Sequence, residues 1–306
     1  MSEQTVIGVD LGGTKILAAL ISSDGEVEHH TQCPTPIGSQ TDLLAALDGV
    51  VEELVGEGVT AIGFGIPSRI DQRNGRVVAS VNIPLADLDF RDRMSQRFGL
   101  PVGIDNDANA AAIAEWKIGA GRGTSDMVML TLGTGVGGGL ILGGKPYRGS
   151  TGASAELGHV VIVHDGRPCS CGGHGHIESY VSGQAASELA REVFGPESDA
   201  RDLVQRGLKG DEQAREILAD IGDHLGSAVA GMVNLFNPEL IVIGGGFAAA
   251  WHFLHGPAET RIREETLSPA REQVRLARAQ LGTVAGVVGA GFVAFEALEA
   301  IPVSAT

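Results

Sequence analysis

Twice in 306 residues this chain sends an apolar, β-branched run into a short glycine turn and straight out into a second such run, over 5–21 and again over 126–142. Each segment predicts a hairpin that opens a sheet. One arrangement in both halves of the chain suggests two related half-domains facing each other across a cleft. The rest alternates strand and helix. Asp24-Gly25 turns the chain into a further strand near 26–33, residues 40–56 carry apolar positions at helical spacing, 60–65 reads as a buried strand, and 89–98 as a helix before the strand 101–105. An alanine-rich helix follows Asp107. Over 211–236, Leu218, Ile221, Leu225, Val229, Met232 and Phe236 recur at spacings of three and four, one face of a helix that Asn237-Pro238 ends. The strand LIVIGGG, a helix around 257–267, the strand VRLARA and a helix from about 285 to 300 follow. The expected organisation is a smaller α/β domain over 1–118, to which a last helix at about 290–306 returns, and a larger α/β domain over 119–289 with a cysteine-rich loop.

Composition excludes several classes. Length and a 43% hydrophobic share allow a large core and favour two domains. A net charge of −16 argues against a nucleic-acid surface, which needs Lys and Arg to neutralise phosphates. The amino terminus has no basic region followed by an apolar run, and no apolar stretch reaches the ~18 residues of a membrane span, so a soluble cytoplasmic protein is expected. Three cysteines cannot form a fully paired disulfide framework. Cys33 reads as a small, semi-buried side chain.

Three glycine turns could hold phosphates. Asp10-Leu11-Gly12-Gly13-Thr14-Lys15 places a carboxylate, two permissive residues, a hydroxyl and an amine between strands, where several amides can face phosphate oxygens and Asp10 can hold Mg2+ through water. It is not a Walker loop, because Lys follows Thr and a strand comes next. The bland alternative is a tight hairpin with Asp fixing its own backbone. Gly133-Thr134-Gly135-Val136-Gly137-Gly138-Gly139 contains the spacing of a dinucleotide fingerprint, but that fingerprint needs a helix after the glycines and this one runs into Leu140-Ile141-Leu142. A second phosphate-gripping hairpin fits better. Gly244-Gly245-Gly246 follows a buried strand and precedes a helix, as a nucleotide contact or a simple turn.

Between these turns, Ile104-Asp105-Asn106-Asp107-Ala108-Asn109 closes a strand and starts a helix, the end of an open α/β sheet where ligands bind. Asp107 there could take a proton from an attacking hydroxyl while Asn106 hydrogen-bonds the same substrate, with one of the acidic or amide residues serving as the helix N-cap. Near the middle of the chain, Glu156, His159, Cys169, Cys171, His176 and Glu178 crowd one glycine-rich segment. The soft donors suit a tetrahedral zinc, with His159, Cys169, Cys171 and His176 as proposed ligands. His164 or His174 could replace one of them, and an ordinary glycine-rich loop is the bland alternative.

DLGGTK, DNDANAAAIAEW, LGTGVGGG, ELGH with C-x-C-G-x-x-G-H-x-E, and NPELIVIGGG, in that order, resemble the ROK family of sugar kinases and repressors, in its bacterial glucokinase branch. The resemblance implies a two-domain actin-like ATPase (ribonuclease H-like) α/β fold that closes on hexose and ATP, with Mg2+ and a structural Zn2+, and a homodimer or higher homo-oligomer. It implies Asp107 as general base, Asn82, Asn106, Asp107, Glu156, His159 and Glu178 on the sugar, Asp10, Gly12, Gly13, Thr14, Lys15, Gly133, Thr134 and Gly135 on the phosphates, and Gly245 and Gly246 by the nucleoside. Three departures stand out. His176 replaces the usual last cysteine, Gly65-Ile66-Pro67-Ser68 replaces Gly-x-Pro-Gly, and the segment after Asn82 lacks the usual Gly-Trp. The expected activity is phosphorylation of glucose at the 6-hydroxyl. The alternatives are a kinase for mannose, fructose, N-acetylmannosamine or N-acetylglucosamine, polyphosphate as donor, or a sugar-binding transcriptional regulator lacking its DNA-binding domain. Against the regulator, the first phosphate strand begins by Val6, leaving no room for a winged helix.

Overall fold

A computed structural model describes residues 4–300. The chain runs β1 (Thr5–Leu11), β2 (Lys15–Ser22), β3 (Val27–Pro34), α1 (Gln40–Glu52), β4 (Val59–Ile66), β5 (Ser68–Asp71), β6 (Arg76–Ser80), α2 (Phe90–Phe98), β7 (Val102–Asn106), α3 (Asp107–Ile118), β8 (Met127–Leu132), β9 (Val136–Leu142), β10 (Lys145–Pro146), α4 (Glu178–Val181), α5 (Gly183–Phe194), α6 (Ala200–Leu208), α7 (Glu212–Phe236), β11 (Leu240–Gly244), α8 (Trp251–Glu265), α9 (Ala270–Gln273), β12 (Arg275–Arg278) and α10 (Ala285–Glu299). Local signals fix many ends. Ser39 caps α1 through its side chain, Asp211 caps α7, Gly99 ends α2 in the left-handed region, and Asn237 does the same for α7.

The chain divides into two compact units, one made of Met1–Arg122, Pro146–Ala155 and Leu281–Thr306, the other of Gly123–Lys145 and Glu156–Gln280. This differs from the sequence expectation in three ways. The change falls at Arg122, the segment Pro146–Ala155 also returns to the first unit, and the final return begins at Leu281. Of the helix expected to about 306, residues 301–306 lie outside the described residues. The hairpin of β5 with β6 and helices α5 and α6 were not foreseen. Helix α8 begins at Trp251, several residues before the expected start, and takes Pro257 into its interior.

The two hairpins read in the sequence head two sheets of the same plan. The first has strand order β3-β2-β1-β4-β7 and the second β10-β9-β8-β11-β12. In each, the first strand of the hairpin pairs antiparallel with the second and parallel with the next strand outward.

In the first unit, side chains alternate across the sheet. Ile7, Val9, Ile62 and Phe64 join Leu43 and Leu47 of α1 and Phe90 and Met94 of α2 in one core cluster. Phe90 meets Phe64 edge-on, with ring centroids 5.0 Å apart. On the other face, Gly8, Gly63 and Gly103 stand in register across β1, β4 and β7. Here α10 rests its backbone on the sheet. A Cβ at these positions would stand 2.1 Å from Val287 O, 1.8 Å from Ala290 O and 2.3 Å from Val293 O. Gly289 of α10 is held as tightly against Ala110 O of α3.

This helix corrects one expectation. Gly282–Glu299 is long and apolar enough, at a mean hydropathy of 1.3 over 18 residues, to match a membrane span by composition. Its apolarity is accounted for inside the fold, where it covers β1, β4, β7 and α3 and Val287, Val288, Ala290 and Val293 are buried.

Gly63→Val is therefore expected to cost about 3 kcal/mol or more, the upper range for overpacking. Gly49→Ala, in α1 with nothing within 4 Å of the added carbon, should instead stabilise by about 0.5–1 kcal/mol. Urea unfolding midpoints of the two variants check both.

Candidate functional site

At the carboxyl ends of β1, β4 and β7 the pairing register aligns Asp10 with Gly65 and Gly65 with Asp105. Each lies two residues beyond a glycine of the row beneath α10 and so on the same face. Gly286, in the first turn of α10, comes so close to Asp10 that an added Cβ would stand 2.5 Å from its Oδ2. Burial chiefly, and then the charge of Asp107, push the Asp10 carboxyl up to about 6, against a smaller opposing pull from Lys15. The structure thus brings Asp10 and Asp107 to one sheet edge. The turn from β1 into β2 is a tight hairpin: Gly12 N donates to Lys15 O, and the Thr35 hydroxyl to Gly12 O at 2.7 Å. Gly13, Thr14 and Lys15 are exposed there.

Asn106 is the N-cap of α3. Its Oδ1 accepts from Ala108 N at 2.9 Å and from Asn109 N at 3.4 Å, which leaves its amide N–H groups as the ones to offer a substrate. Asp107, the first helical residue, has Oδ1 2.9 Å from Ala108 N. Asp105 is fully buried and accepts from Asn106 N, Asn109 Nδ2 and Arg148 Nε. Asp105 and Arg148 were not singled out in the sequence, where a lone Arg between two glycine-rich stretches carries no signal. Asn82 is exposed in the turn after β6. That turn is tied by Ser80, whose hydroxyl donates to Leu85 O at 2.5 Å. Ser80 has one hydrogen to give, so the 2.5 Å contact with buried Ser68 is donated by Ser68. Ser68, where relatives in the resemblance carry glycine, thereby braces the loop that holds Asn82.

In the second unit, Gly133-Thr134-Gly135 forms the turn between β8 and β9, closed by Gly133 N donating to Gly135 O. The chain continues into β9 with no helix, which disposes of the dinucleotide fingerprint. Gly183 N and Gln184 N, at the start of α5, donate to Gly133 O and Thr134 O. Gly245, at a φ of 85°, lies against the end of β8, where an added Cβ would stand 2.3 Å from Leu132 O. Two of the three glycine loops therefore meet, with Gly246 opening the short helical turn that leads into α8.

Glu178 Oε2 accepts from Val136 N at 2.9 Å, and a Cβ on Gly135 would stand 2.2 Å from that oxygen. Its Oε1 is 3.3 Å from the Ser170 hydroxyl. Glu156 is exposed and precedes the turn Leu157–His159. Gly158 of that turn lies against Val136 O. The cysteine loop folds back at Gly172 and Gly175, both at positive φ, with Cys169 N donating to Gly173 O and Gly172 N to Cys169 O.

One ligand atom from each of His159, Cys169, Cys171 and His176 lies within 4.8 Å of the others. Cys169 Sγ is 3.8 Å from His159 Nδ1, and Cys171 Sγ 3.2 Å from His176 Nδ1. The edges of a zinc tetrahedron with sulfur and nitrogen ligands are about 3.3–3.8 Å, so the donor set fits the ion. His164 instead stands exposed beside Asp165, and His174 is outside the cluster.

Residues 6–297 match the ROK family. The chain is 34% identical to the glucokinase of Thermotoga maritima over 95% of this chain and 97% of that one. Among solved structures it is similar to a ROK hexokinase from Thermus thermophilus, with a TM-score of 0.85 at 33% identity over 97% of this chain and 99% of the other. It is also similar to a ROK family glucokinase from Streptomyces griseus in complex with glucose and AMPPNP, with a TM-score of 0.81 at 33% identity over 95% and 99%.

The raised Asp10 carboxyl has a measurable consequence. Its folded value of about 6 exceeds the ordinary 3.8, so its protonation favours the fold below 3.8, and that benefit is lost as pH rises through 6. Asp10→Asn, which mimics the neutral acid, should stabilise the ligand-free protein by about 3 kcal/mol at pH 7.5 and by progressively less between pH 6 and 4. Thermal unfolding as a function of pH checks the sign.

Proposed function

The chain belongs to the ROK family, and on that premise we propose that it is an ATP-dependent glucokinase that transfers the γ-phosphate of ATP to the 6-hydroxyl of glucose. The observation that carries the reading is the pair Asp10 and Asp107 at one sheet edge, beside a glycine hairpin, in a chain alignable along nearly its whole length with glucokinases. Asp107 takes the proton of the attacking hydroxyl, the task of the base carboxylate in phosphoryl transfer to an alcohol. Asn106 offers its amide N–H groups to the same hydroxyl. Asn82, Glu156, His159 and Glu178 pair with the other sugar hydroxyls, and a sugar that leaves such groups unpaired is rejected. Gly12, Gly13, Thr14 and Lys15, with Gly133, Thr134 and Gly135, receive the phosphates, and Gly245 and Gly246 lie by the nucleoside.

Mg2+ supplies charge neutralisation on the transferred phosphate. Asp10 fits it, because its raised carboxyl marks a desolvated, half-buried negative charge beside Asp107 that a nearby cation would relieve. Zn2+ would be held by His159, Cys169, Cys171 and His176. With His159 Nδ1 turned to the cysteines, Nε2 remains for the sugar, so the ion would fix the imidazole's orientation. The expected cytoplasmic location and the homodimer or higher homo-oligomer belong to the same reading.

Asp107→Asn should keep glucose binding and lower kcat by about 10²–10⁴-fold. Normal turnover in that variant removes Asp107 from the base role. A coupled assay with ATP or polyphosphate and a panel of glucose, mannose, fructose, N-acetylmannosamine and N-acetylglucosamine should rank ATP with glucose first. Turnover on none of them would favour a sugar-binding regulator. Protein purified without chelator should contain one zinc per chain, retain it in His176→Cys and lose it in His176→Ala. A metal-free wild type would leave the cluster an ordinary loop.

A further inference from the structure

The first unit contains a group of polar contacts that substrate handling does not use. The guanidinium of Arg148 spans two carboxylates, with Nε donating to Asp105 Oδ2 and Nη2 to Glu296 Oε2, both at 2.6 Å. The first acceptor is on β7 and the second on α10. Burial works against the Arg148 charge, but Asp105 and Glu296 outweigh it and hold the guanidinium protonated more firmly than usual. Asp105 has no exposed surface, so a carboxylate there requires the cation and the two N–H donors that surround it.

Arg148 lies in the excursion Pro146–Ala155, the segment that returns to the first unit between two stretches of the second. A second residue ties the same excursion to the same strand. Gln72 N donates to Thr151 O at 3.0 Å, while Gln72 Nε2 donates to Ile104 O at 2.9 Å. Arg91 Nη2 in turn donates to Gln72 O at 3.0 Å. Gly152, at a φ of 101°, lets the loop backbone come this near, since an added Cβ would stand 2.8 Å from Ile70 O. β7 is thus gripped at two successive residues, Asp105 by the loop's own Arg148 and Ile104 by Gln72, which is itself bonded to the loop. Asn106 and Asp107 follow directly, and the loop itself runs on into Glu156.

We propose that Arg148 and Gln72 are positioning residues that clamp the end of β7 and so fix where Asp107 presents its carboxylate. The proposal rests on the reading of Asp107 as general base. A base acts over a hydrogen-bond length, so a displacement of about 1 Å at the strand end can cost about a hundredfold in rate. Sugar and ATP affinity draw on many other contacts and should change little. Lys cannot replace the clamp, because its single ammonium lacks the planar fork that meets two carboxylates at once.

The test measures kcat and both KM values for Arg148→Lys, Arg148→Met, Gln72→Met, Asp105→Asn and the double variant Arg148→Met/Asp105→Asn, each checked for folding by thermal unfolding. The expected result is a kcat at least tenfold lower for the Arg148 variants and about three- to tenfold lower for Gln72→Met, with both KM values within about threefold of wild type. In the Arg148→Met background, Asp105→Asn should cost little further, because both act through one contact. Should Arg148→Met fail to fold, Arg148→Lys and Gln72→Met decide the question. Folded variants with kcat within twofold of wild type overturn the clamp, as do fully additive losses in the double variant. Asp107→Asn, run in parallel, separates the two ideas. If it collapses turnover while the Arg148 and Gln72 variants do not, only the clamp falls. If Asp107→Asn turns over normally, the base reading falls and the clamp with it.

Discussion

The first unit depends on the absence of side chains. Gly8, Gly63 and Gly103 lie abreast on three neighbouring strands and allow the backbone of α10 to lie directly on the sheet. Close-packed interiors tolerate little added volume, so this contact allows no residue larger than glycine. Its effect reaches beyond packing. Side chains two residues further along each strand share the same face, and there the chain places Asp10, Gly65 and Asp105. The row that seats the helix and the polar edge that follows it belong to one alternation.

Two carboxylates on that edge have opposite surroundings. Asp105 is saturated by a cation and two N–H donors, which makes it a fixed structural charge. Asp10 is pushed up by its burial and by the charge of Asp107, with Lys15 pulling the other way less strongly, which makes it a charge that a cation would relieve. Divergent environments for neighbouring acids are how a protein separates groups that hold the scaffold from groups that act.

Much of this was legible in the sequence. The paired hairpins had matching strand–glycine–strand patterns, α7 had an unbroken helical face, and the cysteine segment concentrated soft donors as few other loops do. The missed features depend on distance along the chain. Arg148 matters because Asp105 and Glu296 surround it, yet neither is near it in sequence. Gln72 acts through a hairpin of short strands whose alternation is too brief to read, and Ser68 stood out only as a departure, without its contact to Ser80. The run over Gly282–Glu299 was read as a helix but not as one of membrane-span apolarity, because glycines and two glutamates interrupt it, and its small residues are what let the helix approach the sheet.

The first unit is assembled from three separate lengths of chain, and the last brings α10. During synthesis the strands bearing Gly8, Gly63 and Gly103 leave the ribosome while their covering helix has yet to be made, and every residue of the second unit is translated in the interval. The nascent first unit thus carries an uncovered sheet face for most of the time it takes to make the protein, while the second can close its own sheet once β12 has emerged. The earliest part of the chain to be translated is then the last to be sealed.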